Sequence, residues 1–217
     1  MPGITARCGV APGWIVAWGV AVAAGAMLMN VYSMTPGSAG SPPVRWPGGS
    51  EIPLDRRCPT LLIFLHPQCP CSDASLDELA AAIDRTSGRV SAWALVYRPR
   101  TNDDDWFPGE LREAMAAIPG LSIAEDHEGA EAALFGIETS GHVLLFGPEG
   151  DLWFSGGITD GRGHRGESLG RSALITRILD HRSSARPSIP EATGPTVPVD
   201  APVFGCPLTT PGTEPGA

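Results

Sequence analysis

The chain has 217 residues, a formal net charge of −9 and an isoelectric point near 4.9. That balance excludes a nucleic-acid surface, which needs a basic patch, and the length leaves room for one ordinary domain with appendages. All 15 basic residues are arginine, and Gly and Pro concentrate toward the two ends, so the middle is free to fold.

Residues 1–12 read as a short N-terminus before GWIVAWGVAVAAGAMLMNVYSM, an uncharged run from Gly13 to Met34. A spanning helix needs roughly 20 apolar residues, so 13–34 is predicted to be a single transmembrane anchor. Ser38-Ala39-Gly40 resembles a small-residue cleavage site, and a cleaved signal peptide is the alternative. Arg7 precedes the run and the next cation after it is Arg45, which favours a cytoplasmic N-terminus and places the C-terminal domain in the periplasm or outside the cell. Disulfides persist there, while Cys8 lies on the other side of the membrane.

Residues 35–50, TPGSAGSPPVRWPGGS, read as a flexible linker. A folded domain is expected over 51–182. Its predicted elements are a strand at 60–65, a helix at 71–86, a strand at 90–97 and an acidic loop at 102–105. A helix around 109–117, a strand at 121–124 and a helix at 128–135 follow. Strands at 142–146 and 151–154 flank Gly147-Pro148-Glu149-Gly150, which has the residues of a hairpin turn. Leu169, Ala173, Leu174, Ile178 and Leu179 mark a last helix over 167–181. Alternating strands and helices predict an α/β layered domain. The Pro-, Thr- and Gly-rich segment 183–217 reads as a disordered tail, broken by the apolar island Val203-Phe204-Gly205-Cys206-Pro207-Leu208, which suggests docking.

The chemistry concentrates where the first strand ends, in His66-Pro67-Gln68-Cys69-Pro70-Cys71-Ser72. Thiols delivered to a helix N-terminus meet its positive dipole end and free N–H groups, which favour the thiolate. In one register Cys69 is the N-cap, Pro70 the first helical residue and Cys71 the second. In a competing register, Ser75-Leu76-Asp77-Glu78 is a capping box that starts the helix later. A Cys69–Cys71 disulfide closes a very small, strained ring. Cys206 and Cys58 are the distant alternatives, and a flexible tail of about twenty residues reaches roughly 25 Å. Four cysteines on one side allow three connectivities. His66, Cys69 and Cys71 also form a soft ligand set suited to Cu(I) or Zn(II), and His142 is a further imidazole that follows Gly141. Asp103-Asp104-Asp105 reads as a solvated, helix-capping loop.

Order and residues together resemble the thioredoxin-like superfamily, and the anchor with an outward domain resembles its membrane-tethered TlpA-like proteins. HPxCPCS, TSG, SGGIT and FGCPL together resemble the little-characterised RedB group. The family's fold is a three-layer one, a central mixed sheet flanked by helices, here behind one transmembrane helix. The resemblance implies that Cys69 is the nucleophilic thiolate attacking protein disulfides; the residues themselves offer Cys71 or Cys206 to resolve the mixed disulfide, with Ser72 hydrogen-bonding near the nucleophile. It implies a substrate groove at Pro70, Thr139, Ser140 and Gly141. Three departures stand out: Ser72 replaces the resolving cysteine, Gln68 the usual tryptophan, and Gly141 the usual cis-proline. The expected function is therefore a thiol–disulfide oxidoreductase-like protein without a cofactor, with protein thiols and the membrane as partners and no nucleic acid. Copper-delivery proteins of this fold use two cysteines and a histidine, so Cu(I) binding is the alternative. A non-catalytic binding module is the other.

Overall fold

The computed structural model describes residues 12–100, 106–180 and 199–209. The segment from 102 to 105, read as an acidic loop, lies outside the described residues.

The first helix, α1, runs Pro12–Ser33, and its side chains from Gly13 to Tyr32 are exposed. The body then alternates: β1 Thr60–Leu65, α2 Ser72–Arg85, β2 Ser91–Arg98, α3 Gly109–Ala116, β3 Leu121–His127, α4 Ala130–Leu134, β4 His142–Phe146, β5 Leu152–Gly157 and α5 Leu169–Asp180. One more strand, β6, spans Val199–Ala201.

All six strands form one mixed sheet in the order β3-β2-β1-β4-β5-β6. β1 pairs parallel with β2, and β2 parallel with β3, while β4 runs antiparallel to both β1 and β5. Every residue of β1 is buried, as expected of a central strand covered on both faces. Because side chains alternate along a strand, Leu61, Ile63 and Leu65 pack toward Leu76, Leu79 and Ile83 of α2. Leu62 and Phe64 face the other way, into a cluster with Phe135, Leu144 and Phe146. Burial of such side chains contributes roughly 1.5–3 kcal/mol each.

Element positions follow the expectations closely, and the differences have local causes. β3 continues to His127 because it stays in register with β2 as far as Arg98. α4 starts late, where both oxygens of the buried Asp126 carboxylate accept the Glu131 and Ala132 N–H groups at 2.8 and 3.0 Å. β5 continues through Gly157 because it keeps pairing with β4 to His142.

Two expectations are corrected. Residues 35–50 are not a free linker: Ser41 N–H donates to Gly136 O, Trp46 N–H to Gly150 O, and Leu152 N–H to Val44 O. The Trp46 ring packs edge-on against Phe135 and Phe146, each at 5.1 Å, so this strap closes one face of the core. The tail, too, is ordered over 199–209. β6 adds to β5 in parallel, and Val203, Phe204 and Leu208 are buried.

Candidate active site

The turn between β1 and α2 carries the thiols. Cys69 N–H donates to His66 O and Ser72 N–H to Cys69 O, each at 3.0 Å, and Cys71 is the N-cap of α2. Both expected helix starts are thereby corrected. The capping box does not form, because Ser75 is already inside the helix and its hydroxyl donates to Cys71 O at 3.3 Å. Glu78 is engaged elsewhere: its carboxylate accepts Gly166 N–H at 2.6 Å and pairs with Arg171, both side chains being buried.

The tail brings a third thiol to this turn. Ser140 N–H donates to Cys206 O at 2.8 Å, Leu208 N–H to Glu138 O at 2.9 Å, and Pro207 bridges Thr139 in antiparallel fashion. The approach is close enough to require glycine. A Cβ on Gly205 would lie 1.9 Å from Ser140 O, one on Gly156 would lie 2.4 Å from Ala201 O, and one on Gly157 would lie 2.5 Å from Pro202 O. The TSG stretch thus faces FGCPL, and the two glycines of SGGIT face Ala201 and Pro202 just before it. Gly37 N–H donates to Val203 O at 2.8 Å, so the strap after α1 also holds the docked tail.

Cys69, Cys71 and Cys206 consequently adjoin. Burial raises the Cys69 thiol pKa. The Cys206 thiol, the Cys206 and Cys71 N–H groups and the Cys71 thiol all donate to it, and together they bring it below the ordinary value. Its neighbours move the opposite way. Burial, the Cys69 charge and a bond to Cys69 push Cys71 up, against Arg162 and the Gly163 N–H. Cys206 is pushed up to about 12 by burial, by its bond to Cys69 and by the charges of Cys69 and Cys71. The arrangement thus favours ionisation at Cys69 over ionisation at either of the two thiols beside it.

Arg162 completes the site and was not singled out in the sequence, where only a cation in a Gly-rich loop marks it. Its Nη1 donates to Gly205 O, its N–H to Ser33 O at 2.9 Å, and its guanidinium lies 4.8 Å from the Tyr32 ring centroid. It therefore ties the end of α1 to the tail beside the thiols.

The remaining expected residues have other surroundings. The Ser72 hydroxyl donates to His66 O at 3.0 Å. It thus braces the turn through a carbonyl and not through a sulfur. Pro70 is exposed at the mouth of a cleft that Cys69 also lines. Thr139 and Ser140 are buried beneath the tail, and Ser140 Oγ accepts His66 N–H at 2.9 Å. Gly141 has φ +86°, and its N–H donates to Phe64 O at 2.7 Å. A left-handed backbone is one that glycine adopts without penalty, so Gly141 turns the chain into β4. The His66 ring stacks on Tyr97 at 5.4 Å, and its Nδ1 accepts Gln68 N–H. His142 is buried against Ser155 Oγ at 2.9 Å. Among the described residues, no group of three His, Cys, Asp or Glu side chains is arranged to hold a metal, so the trio read as a copper set is not gathered. Cys58 precedes β1, at the opposite end of that strand from Cys69, and hydrogen-bonds Asp55.

No family model and no curated protein matches the chain. Among solved structures it is similar to an uncharacterized conserved protein from Geobacillus kaustophilus, with a TM-score of 0.53 and 16% identity over 85% of this chain and 95% of that one. A hypothetical protein from Sinorhizobium meliloti 1021 matches with a TM-score of 0.52 and 20% identity, over 83% and 97% of the two chains. A secreted Mycobacterium tuberculosis disulfide oxidoreductase homologous to E. coli DsbE matches at a TM-score of 0.41 and 15% identity, over 58% and 83%. The fold is thioredoxin-like: a mixed α/β sheet with flanking helices, preceded by an apolar N-terminal helix.

Proposed function

We propose that this is a membrane-tethered, extracytoplasmic thiol–disulfide exchange protein in which Cys69 is the nucleophile and Cys206 the resolving thiol. The observation that carries the reading is the seating of the tail in a cradle: Ser140 N–H donates to Cys206 O, and Gly205, Gly156 and Gly157 leave no room for a Cβ, so Cys206 is held beside Cys69. A helix of 22 residues is about 33 Å long, matching a hydrocarbon core of about 30 Å. Because Arg162 joins Ser33 to Gly205, the thiols would lie on the face of the domain nearest the membrane.

The chemistry follows from the proton positions. The Cys69 thiolate attacks one sulfur of a substrate disulfide, forming a Cys69–substrate disulfide and releasing the other substrate sulfur as a thiolate. Cys69 then carries no charge, so its hold on the Cys206 proton disappears and the Cys206 thiol becomes easier to ionise. The Cys206 thiolate attacks Cys69 Sγ, leaving a Cys69–Cys206 disulfide and a second reduced substrate thiol. Two electrons pass from the protein to the substrate, and an external dithiol must return them. Cys71 stays protonated as a donor to Cys69, since the alternative Cys69–Cys71 ring is strained.

The test is trapping. A reduced Cys206→Ser chain mixed with a peptide disulfide should accumulate a mixed disulfide on Cys69, while the wild-type chain should proceed to a Cys69–Cys206 disulfide. Absence of any adduct on Cys69 in the variant refutes the reading.

A further inference from the structure

The docked tail decides which side of Cys69 a substrate can use. Glu138, Thr139 and Ser140 are paired with the chain's own residues 206–208, and the free edge of β5 is taken by β6. The strap after α1 is bonded to the tail through Gly37 N–H and Val203 O, and the Gly163 N–H bonds Cys71. One wall of Cys69 faces an open space: a cleft of about 490 Å³ between α2 and α3 that is lined by Cys69 itself. Its floor is apolar, built by the buried side chains Leu76, Leu111 and Ile118. Its rim carries Asp73, Asp77 and Glu110 against one cation, Arg165, which pairs with Asp77 at 2.5 Å. Among the described residues Asp73 and Glu110 have no ion-pair partner within 4.0 Å, so the mouth is left negative.

We propose that this cleft is the substrate subsite, and that it selects cysteine-bearing peptides with an apolar residue next to the cysteine and an arginine or lysine just beyond it. The proposal rests on Cys69 being the nucleophile. An apolar neighbour fills the floor, and the cation meets Asp73 and Glu110 at the rim. Acidic peptides and anionic small-molecule thiols are repelled by the same carboxylates. The tail need not leave for the substrate to enter. Substrate and Cys206 approach the Cys69 sulfur from different sides, so the resolving thiol is already in place when the mixed disulfide forms.

The test uses the reduced full chain and two peptides, Arg-Leu-Cys-Leu-Arg and Glu-Leu-Cys-Leu-Glu, each activated as its 2-thiopyridyl disulfide. Attack by Cys69 forms the Cys69–peptide disulfide and releases 2-thiopyridone, which is read by absorbance. At low ionic strength the arginine peptide should react about ten-fold faster, as expected for two exposed charge pairs, and the gap should narrow with salt. The Asp73→Asn/Glu110→Gln variant should bring the two rates together, since both residues are exposed. The Gly205→Ala variant, with its tail displaced, should keep the preference. Neutral 2,2′-dithiodipyridine serves as the reference for the reactivity of Cys69 itself in each variant. Equal peptide rates in the wild type, or a preference that survives in the doubly neutralised variant or vanishes in Gly205→Ala, overturn the cleft while Cys69 still reacts with the neutral probe. Failure of Cys69 to react with the neutral probe overturns the exchange reading itself, and the cleft with it.

Discussion

Gly205→Ala isolates what the tail does, because it adds one methyl group where there is no room. The new Cβ would fall 1.9 Å from Ser140 O and 2.9 Å from Ser140 C, both backbone atoms of a buried segment. The lower-cost adjustment is for residues 203–208 to leave the cradle. Cys206 then loses its burial, its bond to Cys69 and its closeness to the Cys69 charge, which are the causes that hold its pKa at about 12 against an ordinary 9.0. At pH 8 the thiolate fraction of Cys206 should rise from about 10⁻⁴ to about 10⁻¹. Since the thiolate is the reacting species but grows less nucleophilic as its pKa falls, its alkylation should accelerate about 10–10²-fold. Cys69 should change in the opposite direction, because it loses the donors that favour its anion. The assay is iodoacetamide labelling of the reduced protein with peptide-level mass spectrometry at several times. Equal labelling rates of Cys206 in wild type and variant would refute the docked-tail account.

Two further predictions concern the frame around the site. His142 is buried, and burial brings its pKa down from 6.5 to about 4. The unfolded chain therefore binds this proton more readily, so the stability His142 provides is complete above pH 6.5 and is lost as pH falls through about 4. The loss amounts to about 3 kcal/mol, and His142→Gln should flatten that part of a denaturant-midpoint profile; an unchanged acid slope contradicts it. Glu78→Ala should lower stability by about 3–5 kcal/mol in urea unfolding, because it leaves the buried Arg171 guanidinium without its carboxylate. Glu78→Ala/Arg171→Met should recover much of that loss, and no recovery would show that the ion pair itself is not the source.

Much of the frame is legible in the sequence because each element states itself locally. The apolar run Leu61–Leu65, the turn at Gly147–Gly150 and the spacing of Leu174 and Ile178 identify strands and helix without reference to one another. The thiol turn is legible for the same reason. The cradle is not, since its content is the backbone approach of Gly156 and Gly157 to Ala201 and Pro202 and of Gly205 to Ser140, and glycine spacing carries no record of which segment will lie against it. β6 has three residues, too few for an alternation signal, and stands in a Pro- and Thr-rich tail. The strap 35–50 reads as a linker by composition, although Trp46, a large aromatic side chain among Pro and Gly, marks it as something that packs. His66 shows the reverse failure: its spacing from Cys69 suits a ligand, but its ring is taken up by Tyr97 and Trp106.

The most direct measurement is a non-reducing peptide map of the protein after oxidation by a stoichiometric peptide disulfide. The account predicts a Cys69–Cys206 bond, with Cys71 and Cys58 recovered as thiols. A Cys69–Cys71 bond, or oxidation that leaves Cys206 free, would contradict it.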